Sequence, residues 1–586
     1  MPNLFAMSFE GELAPSFSLK CLERGGALPD GWGIGYYPGG EPSAPVLKEP
    51  APPPGSIRGE LVRAWEHLES SLFVLHIRRA SWGKNSDANT QPFCRAHGGR
   101  DWLIAHAGSL RGRISLSEPT VHEPIGATDT EIVFCEVLNR ISRLGKKSLG
   151  DVEPVMLQSW LTELNEHGGL SLVLTDGRDL VAYADRYDNG GLHLGELWPP
   201  YGSVVLGDDD LEVDLTRRAV LSRKGVIVSS SPLYSRPGAS AGLWRKVTPG
   251  SLTIVRQGAI RTILDPADRP SPQSVARVRV SRPVVAERRT LAIEHRTTYR
   301  YATAVERSEH MLKLKPIHDL NQNVLSHELF VSVEGKTLNY EDVFGNRVSK
   351  VRLERPFTEL TVRARSLVTV DDPGLWGANA AHTRASIPLV WMPWQHHMLQ
   401  PYLLPPELPE TQLRELARYA MSFVERNDFD LLDTLLDLNQ TLFREYAYVP
   451  GSSTLLTTAF QTYVERRGVC QDFANLFICL ARLLAVPARY VCGYVYTHTV
   501  PPQRAGDPPA NARDYQGEAS HAWVQAYLPE VGWRSFDPTN GIVPQADHVR
   551  VAVGRSYIDA TPTAGTLYVG GGGETLEVDV RVVPQE

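Results

Sequence analysis

The chain has 586 residues, 42% of them hydrophobic and 22% charged, with a formal net charge of -7 and a pI near 6.2. This composition is ordinary for a globular protein, and a chain of this length predicts three or four domains of roughly 100–200 residues each. The mildly acidic balance gives no basic footprint for nucleic acid or an anionic membrane, so neither is expected as a partner.

The cysteines and the apolar runs bear on the compartment. The six cysteines form no CxxC pair and are few for this length, a pattern typical of free thiols in a reducing cytoplasm. The N-terminal MPNLFAMSFEGE has neither the basic start nor the apolar core of a signal peptide. The most apolar run, LFICLARLLAVPARYVCGYV, is interrupted by Arg482, Pro487 and Arg489, so we expect a helix and a strand there, not a membrane span. A cytoplasmic protein is expected.

In chain order, residues 1–265 come first and consist of short strand-like segments with glycine or aspartate turns between them. Examples are VLHIR, WLIAHA, LSLVLT, GVIVSS and GSLTIV. Residues 266–289 show no useful strand or helix period and predict a linker. Residues 290–371 alternate polar and apolar positions, as in ELTVRARSLVTV, and YEDVFGNRV predicts a hairpin. A β-sandwich-like domain is therefore expected over this range.

The rest of the chain changes character twice. Residues 372–409 are rich in proline and predict an extended connection that wraps a surface. Residues 410–586 combine helices, predicted over 410–448 and 471–485, with strands that follow them. The last segment is therefore expected to be an α+β domain.

One helix of this last domain begins at a cysteine. Its apolar residues recur with the spacing of a single helix face, namely Phe473, Leu476, Phe477, Leu480, Leu483 and Leu484. Asp472 falls in the first turn, where the helix dipole favours a negative charge. Cys470 therefore lies at or just before the helix N-terminus, where unpaired amides stabilise a thiolate and can donate to an oxyanion. This placement predicts a nucleophile, whereas Cys479 and Cys492 are expected to be buried structural thiols.

A histidine and an aspartate follow on a predicted hairpin. HAWVQAYL reads as a strand that begins at His521, and after the turn PEVG a second strand, WRSF, ends at Asp537. Such a hairpin would bring Asp537 near His521 on the adjacent strand. A cysteine nucleophile needs a base and a group that orients the base, which this pair can supply. Taken singly, His521 is more often a satisfied strand histidine, and Asp537 before Pro538 is also typical of the start of a turn.

These motifs resemble the bacterial transglutaminase-like family of the papain-like superfamily. The resemblance is carried by GVCQDFA, by the histidine before AW, by FDPTNG, by the upstream IEHRTTYRYATAVERSEHMLKLKP and by the later GRSYIDATPTAG. It covers about residues 290–586 and implies a β-rich domain followed by an α+β papain-like core. It further implies that Cys470 is the nucleophile, His521 the general base and acid, and Asp537 the orienting carboxylate. Asn475 stands where relatives often carry a histidine, one turn into the helix.

The first half resembles class-II glutamine amidotransferases, which are N-terminal-nucleophile enzymes of the αββα fold. The segments that carry this resemblance are DGWGIGYY, LHIRRASWG, NTQPF, WLIAHAGSL and ATDTE. In that family the residue after the initiator methionine is the catalytic cysteine, but here it is Pro2, which offers no nucleophile. The family's HNG motif supplies an oxyanion-hole asparagine, and here Ala107 replaces it. Losing one such donor slows catalysis about 10²–10³-fold, so we expect a domain that does not hydrolyse glutamine.

The same resemblance implies a vestigial glutamine-binding site. In the family, the arginine of an HxR motif binds the α-carboxylate and the aspartate of a DTE motif binds the α-amine. Those positions are Arg78 and Asp129, and Gly108 keeps the last position of the HNG motif. Two structural alternatives stay open. Arg78 is also typical of a surface arginine at a strand end, and residues 128–131 are also typical of a helix capping box.

The leading hypothesis is a multidomain α+β enzyme that attacks peptide, isopeptide or glutamine-type amides through a thioester. Its domains would be an N-terminal-nucleophile-type αββα amidotransferase-like domain, a β-sandwich-like domain and a papain-like transglutaminase core. The first domain would serve recognition or scaffolding. Expected substrates are peptide or protein amides, with γ-glutamyl groups among them, and family association suggests a peptide-ligase system as partner.

No cofactor is expected, and no metal, because the histidines show no ligand spacing. Two alternatives stay open. The protein could be a non-catalytic binding or assembly platform, or an active glutamine amidotransferase with a start at Cys21, which would discard the MSFEG strand.

Overall fold

The computed structural model describes most of the chain. The described ranges are 4–23, 28–40, 42–64, 68–79, 84–110, 114–189, 191–202, 204–215, 223–235, 243–266, 288–371, 385–496, 520–529 and 531–585. They form two compact units, Met1–Arg277 and Val278–Glu586. Pro2, most of the predicted linker 266–289 and the start of the proline-rich segment lie outside the described residues.

The first unit is built mainly of strands. These are β1 Leu4–Leu13, β2 Ser16–Ser18, β3 Gly31–Tyr36, β4 Val46–Pro50, β5 Ser70–Arg78, β6 Phe93–His97, β7 Arg100–Leu110, β8 Gly168–Thr175, β9 Asp179–Tyr183, β10 His193–Leu197, β11 Val205–Gly207, β12 Glu212–Asp214, β13 Gly225–Ser229, β14 Tyr234–Ser235, β15 Trp244–Lys246, β16 Leu252–Arg256 and β17 Ala259–Leu264. The helices are α1 Ile57–Ala64, α2 Asp129–Arg143 and α3 Pro154–Asn165, with 3-10 turns at Lys20–Leu22, Pro38–Gly40, Asp87–Asn89 and Leu149–Asp151.

Two antiparallel sheets make up the centre of this unit. Their strand orders are β15-β10-β13-β1-β5-β3-β4 and β17-β16-β9-β8-β7-β6. Apolar side chains of both, such as Val74 and Val173, form a shared core. Helices α2 and α3 cover the other face of the second sheet. The other face of the first sheet packs against a small sheet, β14-β11-β12-β2, and the short helix α1, so this outer layer is less helical than the αββα expectation.

Strand β1 argues against a start at Cys21. It pairs with β13 on one side and with β5 on the other, so it is a central strand of its sheet. Cys21 itself is buried in the 3-10 turn that follows. A chain that began there would lack this central strand, and the alternative of an active amidotransferase with that start is therefore unfavourable.

The second unit contains strands and helices in two blocks. The strands are β18 Arg289–Leu312, β19 Gln322–Val331, β20 Lys336–Glu341, β21 Arg347–Leu353, β22 Phe357–Val370, β23 Ala447–Tyr448, β24 Arg467–Gly468, β25 Ala488–Val495, β26 His521–Leu528, β27 Gly532–Phe536, β28 His548–Gly554, β29 Thr563–Gly570 and β30 Thr575–Gln585. The helices are α4 Pro393–Leu399, α5 Glu410–Arg426, α6 Leu431–Glu445, α7 Ala459–Glu465, α8 Cys470–Leu483 and α9 Tyr557–Ala560, with a 3-10 turn at Gln400–Tyr402.

The β-rich part is one sheet organised around the long strand β18. The first half of β18 pairs with β22 and β30, and its second half pairs with β21 and β29. Strands β29 and β30 come from the range 410–586, which was predicted as a catalytic domain with a C-terminal extension, and they pair with the β-rich sheet. Four consecutive glycines with positive φ, Gly570 to Gly573, form the reversal between them, a backbone conformation that other residues rarely adopt.

The proline-rich segment is not extended throughout. From Ala385 onward it contains α4 and a 3-10 turn, so the prediction of a wholly extended connection is wrong there. Pro393 is the first residue of α4, where the missing N–H has no helical acceptor to lose and the fixed φ suits the helix. Among the described residues, no helix is long and apolar enough to cross a membrane.

The helical block supports the site. Helices α5, α6 and α7 surround α8, and α8 lies against β25 and β26 of a four-stranded sheet with the order β27-β26-β25-β28. The other face of this sheet packs, through Trp523 and its neighbours, on Ile317 and Phe344 of the β-rich part. Arg550 also binds Asp319 through two hydrogen bonds of 2.7 and 2.8 Å. The β-rich part and the helical block therefore form a single unit.

Candidate active site

Cys470 is the first residue of α8, as the sequence indicated. The Val469 carbonyl accepts hydrogen bonds from the amides of Asp472 and Phe473, at 3.0 and 3.1 Å. In return, the Asp472 carboxylate accepts the Val469 amide at 2.8 Å. The amides of Cys470 and Gln471 precede these two donors in the chain and lie at the open N-terminal end of the helix. Cys470 keeps 7% of its surface exposed, so the thiol is at the edge of the core.

Gly468 allows the helix to begin this close to the preceding strand. A Cβ atom at this position would lie 2.8 Å from the Cβ of Asp472, closer than side-chain carbons approach. Asp472 is itself buried, and burial raises the pKa of its carboxyl group. The glycine and aspartate of RGVCQD therefore fix the geometry of the turn that presents Cys470.

His521 and Asp537 form the contact that the hairpin prediction required. Strand β26 pairs with β27 in a register that places Val524 opposite Phe536, so that Asp537 follows near the start of β26. The His521 Nε2 atom lies 2.9 Å from Asp537 Oδ2. The predicted proximity of these two side chains is confirmed.

Asp537 is fully buried and accepts five hydrogen bonds. Its Oδ1 accepts the backbone amides of Thr539 and Asn540, at 3.0 and 3.2 Å. Its Oδ2 accepts the Asn540 side-chain amide at 2.7 Å, in addition to His521 and His548. Burial alone would raise the pKa of Asp537, but the two histidines that bond to it hold that pKa well below its usual range. The carboxylate is therefore ionised.

His548 is a second histidine at this carboxylate, and sequence reasoning missed it. Its Nε2 lies 3.2 Å from Asp537 Oδ2, and its Nδ1 lies 2.8 Å from Asp547 Oδ1. Burial opposes its charge, but Asp547 and Asp537 raise the pKa of His548 to about 9. The available signal was the Asp-His pair that opens the wholly buried strand β28.

Trp523 packs against both histidine rings. Its ring is stacked with that of His521, with centroids 6.0 Å apart and planes at 24°. The ring of His548 meets it edge-on, at 5.1 Å and 83°. Trp523 is fully buried and therefore limits the motion of both imidazoles.

Cys492 lies on β25, the strand that pairs with the strand of His521. On β25, Cys492 lies opposite Ala522 and its neighbour Gly493 lies opposite His521. Burial raises the pKa of Cys492 to about 12, and both Cys470 and His521 act on this thiol electrostatically. Cys470 and Cys492 also belong to the same apolar core. Cys470 therefore shares a core with Ala522, the residue that follows His521 on β26.

The expectation that Cys479 and Cys492 are buried is confirmed. Both side chains are buried, and burial raises the pKa of Cys479 as well to about 12. Asn475, the departure from the family pattern, lies within α8, beyond the first turn that presents Cys470. Its position therefore leaves the contacts of His521 and Asp537 unaffected.

The group formed by His521, Asp537 and His548 resembles a metal site in its spacing. One donor atom from each lies within 4.8 Å of the others. However, both nitrogens of His548 already bond to carboxylates, and Asp537 Oδ2 is saturated by three donors. We therefore assign these groups to a hydrogen-bond network and not to a metal.

In the first unit, Arg78 ends strand β5 and is only 5% exposed, so the interpretation as a surface arginine is wrong. Its guanidinium donates to Asn85 Oδ1 at 2.8 Å and to the Lys84 carbonyl at 3.4 Å. The same loop continues to Asn89, which accepts the Ala127 amide at 2.9 Å. Arg78 thus supports the loop between β5 and β6, which in turn contacts the segment before α2.

Asp129 is the first residue of α2 and bonds to its own chain. Its Oδ2 accepts the Leu110 amide at 2.8 Å and its Oδ1 accepts the Thr130 amide at 2.8 Å. Thr128 caps the helix by accepting the Glu131 amide at 3.4 Å. The Glu131 carboxylate bonds instead to the amides of Ile125 and Gly126, so only half of the predicted capping box forms.

The altered HNG motif lies on β7. His106 accepts from Thr130 Oγ1 at its Nδ1, 2.9 Å away, and donates from Nε2 to the Gly169 carbonyl at 3.0 Å. Gly108 has a φ of +147°, and a Cβ there would lie 2.3 Å from the Gly169 oxygen, so only glycine fits. Ala107 brings a methyl group where the family has an amide, and Pro2 lies outside the described residues.

Three family models match the chain. The class-II glutamine amidotransferase model matches residues 1–277, the bacterial transglutaminase-like N-terminal region matches 291–369, and the transglutaminase-like superfamily matches 418–538. Uncharacterized protein Rv2569c of Mycobacterium tuberculosis (strain H37Rv) is 30% identical over 312 residues, 50% of this chain and 92% of that protein. "Putative glutamine amidotransferase YafJ" of Escherichia coli (strain K12) is 32% identical over 256 residues, 43% of this chain and 95% of that protein.

Among solved structures, that of "a Putative Cysteine Protease" from Cytophaga hutchinsonii is 21% identical, with a TM-score of 0.40 over 52% of this chain and 93% of that one. The family models match in the order in which the sequence motifs occur. The first half of the chain therefore belongs to the glutamine amidotransferases, and residues 418–538 of the second half match the transglutaminase-like superfamily.

Proposed function

We propose that the second unit is a cysteine-dependent acyl-transfer enzyme in which Cys470, His521 and Asp537 act on amides through a thioester. The observation that carries this proposal is the 2.9 Å bond between His521 and the ionised, buried Asp537. The proposal is supported by this oriented imidazole and by the apolar core that Cys470, at the start of α8, shares with Ala522 next to His521. This is the arrangement that nucleophilic catalysis by cysteine requires.

In the proposed reaction, His521 takes the proton of the Cys470 thiol, and the sulfur attacks the amide carbonyl carbon. The oxyanion that forms is stabilised by the amides at the open end of α8, those of Cys470 and Gln471. Collapse of this intermediate breaks the C–N bond, and His521 returns the proton to the departing amine. Asp537 holds the imidazole in one orientation and stabilises its charged form. A thioester on Cys470 remains.

The thioester is then consumed by water or by a second amine. Water gives a carboxylic acid and thus hydrolysis, while an amine gives a new amide and thus transamidation. We include peptide, isopeptide and γ-glutamyl amides among the proposed substrates. A partner peptide-ligase system would supply such amides.

The test is mass spectrometry of the acyl-enzyme formed from a library of peptide amides and γ-glutamyl amides. We expect a mass increase on the peptide that contains Cys470 and its absence in Cys470→Ala. Adding a lysine-containing peptide to the acylated protein then distinguishes the two fates, since formation of a new amide in competition with water indicates transamidation. Absence of any adduct with the whole library, in protein whose Cys470 remains reduced, would contradict the proposal.

We further propose that the first unit does not hydrolyse glutamine and serves recognition or scaffolding. Its candidate binding groups, Arg78 and Asp129, are engaged by the unit's own loop and helix, and Ala107 offers no oxyanion donor. We expect no release of glutamate from glutamine above background. Turnover that Cys21→Ala abolishes would contradict this, and calorimetry with glutamine would show whether binding survives.

A further inference from the structure

The proposed mechanism leaves the charge of His548 unexplained. Burial alone would raise the pKa of Asp537 and Asp547, but the histidines that bond to them hold both values below the usual range. Both carboxylates are therefore acceptors only. Because His548 points one ring nitrogen at each, at 3.2 and 2.8 Å, both nitrogens must carry a proton. His548, with 3% exposure, is thus a buried imidazolium.

This cation shares its acceptor atom with His521. The two histidines bond to the same oxygen, Asp537 Oδ2, and their ring centroids are 6.2 Å apart. When His521 takes up a proton, two positive rings meet at one carboxylate, and like charges at this separation disfavour each other. Asp537 therefore draws a proton to His521, while His548 opposes it.

We propose that His548 is a positioning residue that anchors Asp537 and limits the proton affinity of His521, so that His521 remains a base near neutral pH. The ionisable groups that face His548 are Asp537 at the end of β27, His521 on β26 and Asp547 beside it. Trp523, which meets its ring edge-on, is uncharged. The inference rests on the proposed function only for the role of His521, because the ionisation can be measured without turnover.

The experiment is a nuclear magnetic resonance titration of the His521 ring in protein labelled with ¹³C at histidine. The full chain carries Cys470→Ala, which removes the thiol, and the His521 signal is assigned by its loss in His521→Gln. With His548→Gln added, we expect the pKa of His521 to rise by about one unit or more, a tenfold gain in proton affinity. A pKa that stays the same or falls would overturn the proposal.

Two further variants separate charge from structure. His548→Lys returns a cation to the site and is expected to reverse at least about half of the rise, whereas a merely structural role predicts equal effects of both substitutions. His327→Gln, which alters a histidine that bonds to Ser366 in the β-rich sheet, is the matched control and should leave the titration unchanged.

A milder substitution covers the case in which His548→Gln does not fold. Asp547→Asn removes a carboxylate whose side chain is 31% exposed, so folding is less at risk, and it weakens the charge on His548. A smaller rise in the pKa of His521 is expected, and no rise would overturn the inference. The proposed function fails on a different result, namely the absence of an acyl-enzyme in the unmodified protein.

Discussion

Each half of the chain keeps a histidine in a hydrogen-bond network, but the two networks differ in charge. His106 in the first unit bonds to a hydroxyl and a carbonyl, and burial lowers its pKa. His521 in the second unit bonds to a buried, ionised carboxylate. A neutral network holds strands and helices together, whereas a carboxylate behind an imidazole stabilises the proton that catalysis transfers. The role of a retained histidine can therefore be inferred only once its hydrogen-bond partner is known.

Removing the Cys470 sulfur should have the largest effect, and this effect should fall on the activity of the second unit. We expect Cys470→Ala to lower acyl-enzyme formation by about 10⁴-fold or more, because the nucleophile is lost. Cys479→Ala is the matched control, since it removes a buried thiol of the same helix. Its activity should remain within about tenfold of the unmodified protein. A Cys470→Ala protein that still turns over a peptide amide would place the nucleophile elsewhere.

Neutralising the Asp537 carboxylate should have the second largest effect on activity. We expect Asp537→Asn to lower kcat by about 10²–10⁴-fold, because the imidazole loses its orienting charge. It should also lower the free energy of unfolding by about 3 kcal/mol, since the buried His548 cation loses a partner. Steady-state kinetics and urea unfolding measure the two effects. Asp559→Asn, which alters a carboxylate that bonds to Arg555, is the control and should leave kcat nearly unchanged.

The three cysteines of this core should differ in the reactivity of their thiols. We expect iodoacetamide to label Cys470 about 10²-fold faster than Cys479 or Cys492, because burial raises the pKa of those two thiols to about 12. Peptide mapping after timed quenching measures the three rates. Equal and slow labelling of all three would favour the non-catalytic binding platform.

The pH dependence of stability gives the smallest effect. The folded-state pKa of His548, about 9, lies above its ordinary value of 6.5, so its contribution is complete below pH 6.5 and is lost as the pH rises through about 9. We expect the free energy of unfolding to fall more over this interval in the unmodified protein than in His548→Gln. Urea unfolding at pH 6, 7.5 and 9 measures this. Parallel curves for both proteins would mean that His548 is neutral when folded.

The sequence located the three proposed catalytic residues because their signals are local. A helix period places Cys470, and a hairpin of adjacent strands places His521 beside Asp537. His548 was missed because it reaches the site only through the pairing of β28 with β25, which no local pattern specifies. The alternative of a surface arginine at Arg78 fails for a similar reason, since the burial of this side chain involves the loop that contains Asn85.

For the fold as well, the parts with a local sequence pattern could be predicted and the parts that depend on distant segments could not. The strand character of residues 290–371 follows from their alternation, but the attachment of β29 and β30 to β18 joins segments that are far apart in the chain. The helix α4 could be recognised only once Pro393 was seen at a helix start, because proline there looks the same in sequence as proline in an extended segment.

The closure of this sheet by β29 and β30 has a consequence for biosynthesis. A ribosome releases β18 long before it releases the strands that complete its pairing, so the nascent chain carries an unfinished edge with open amides and carbonyls for much of translation. The sheet of the second unit can therefore be completed only after β30 has been synthesised. Messages truncated before β29 would yield chains prone to strand-mediated aggregation, a natural substrate for chaperones and cellular proteolysis.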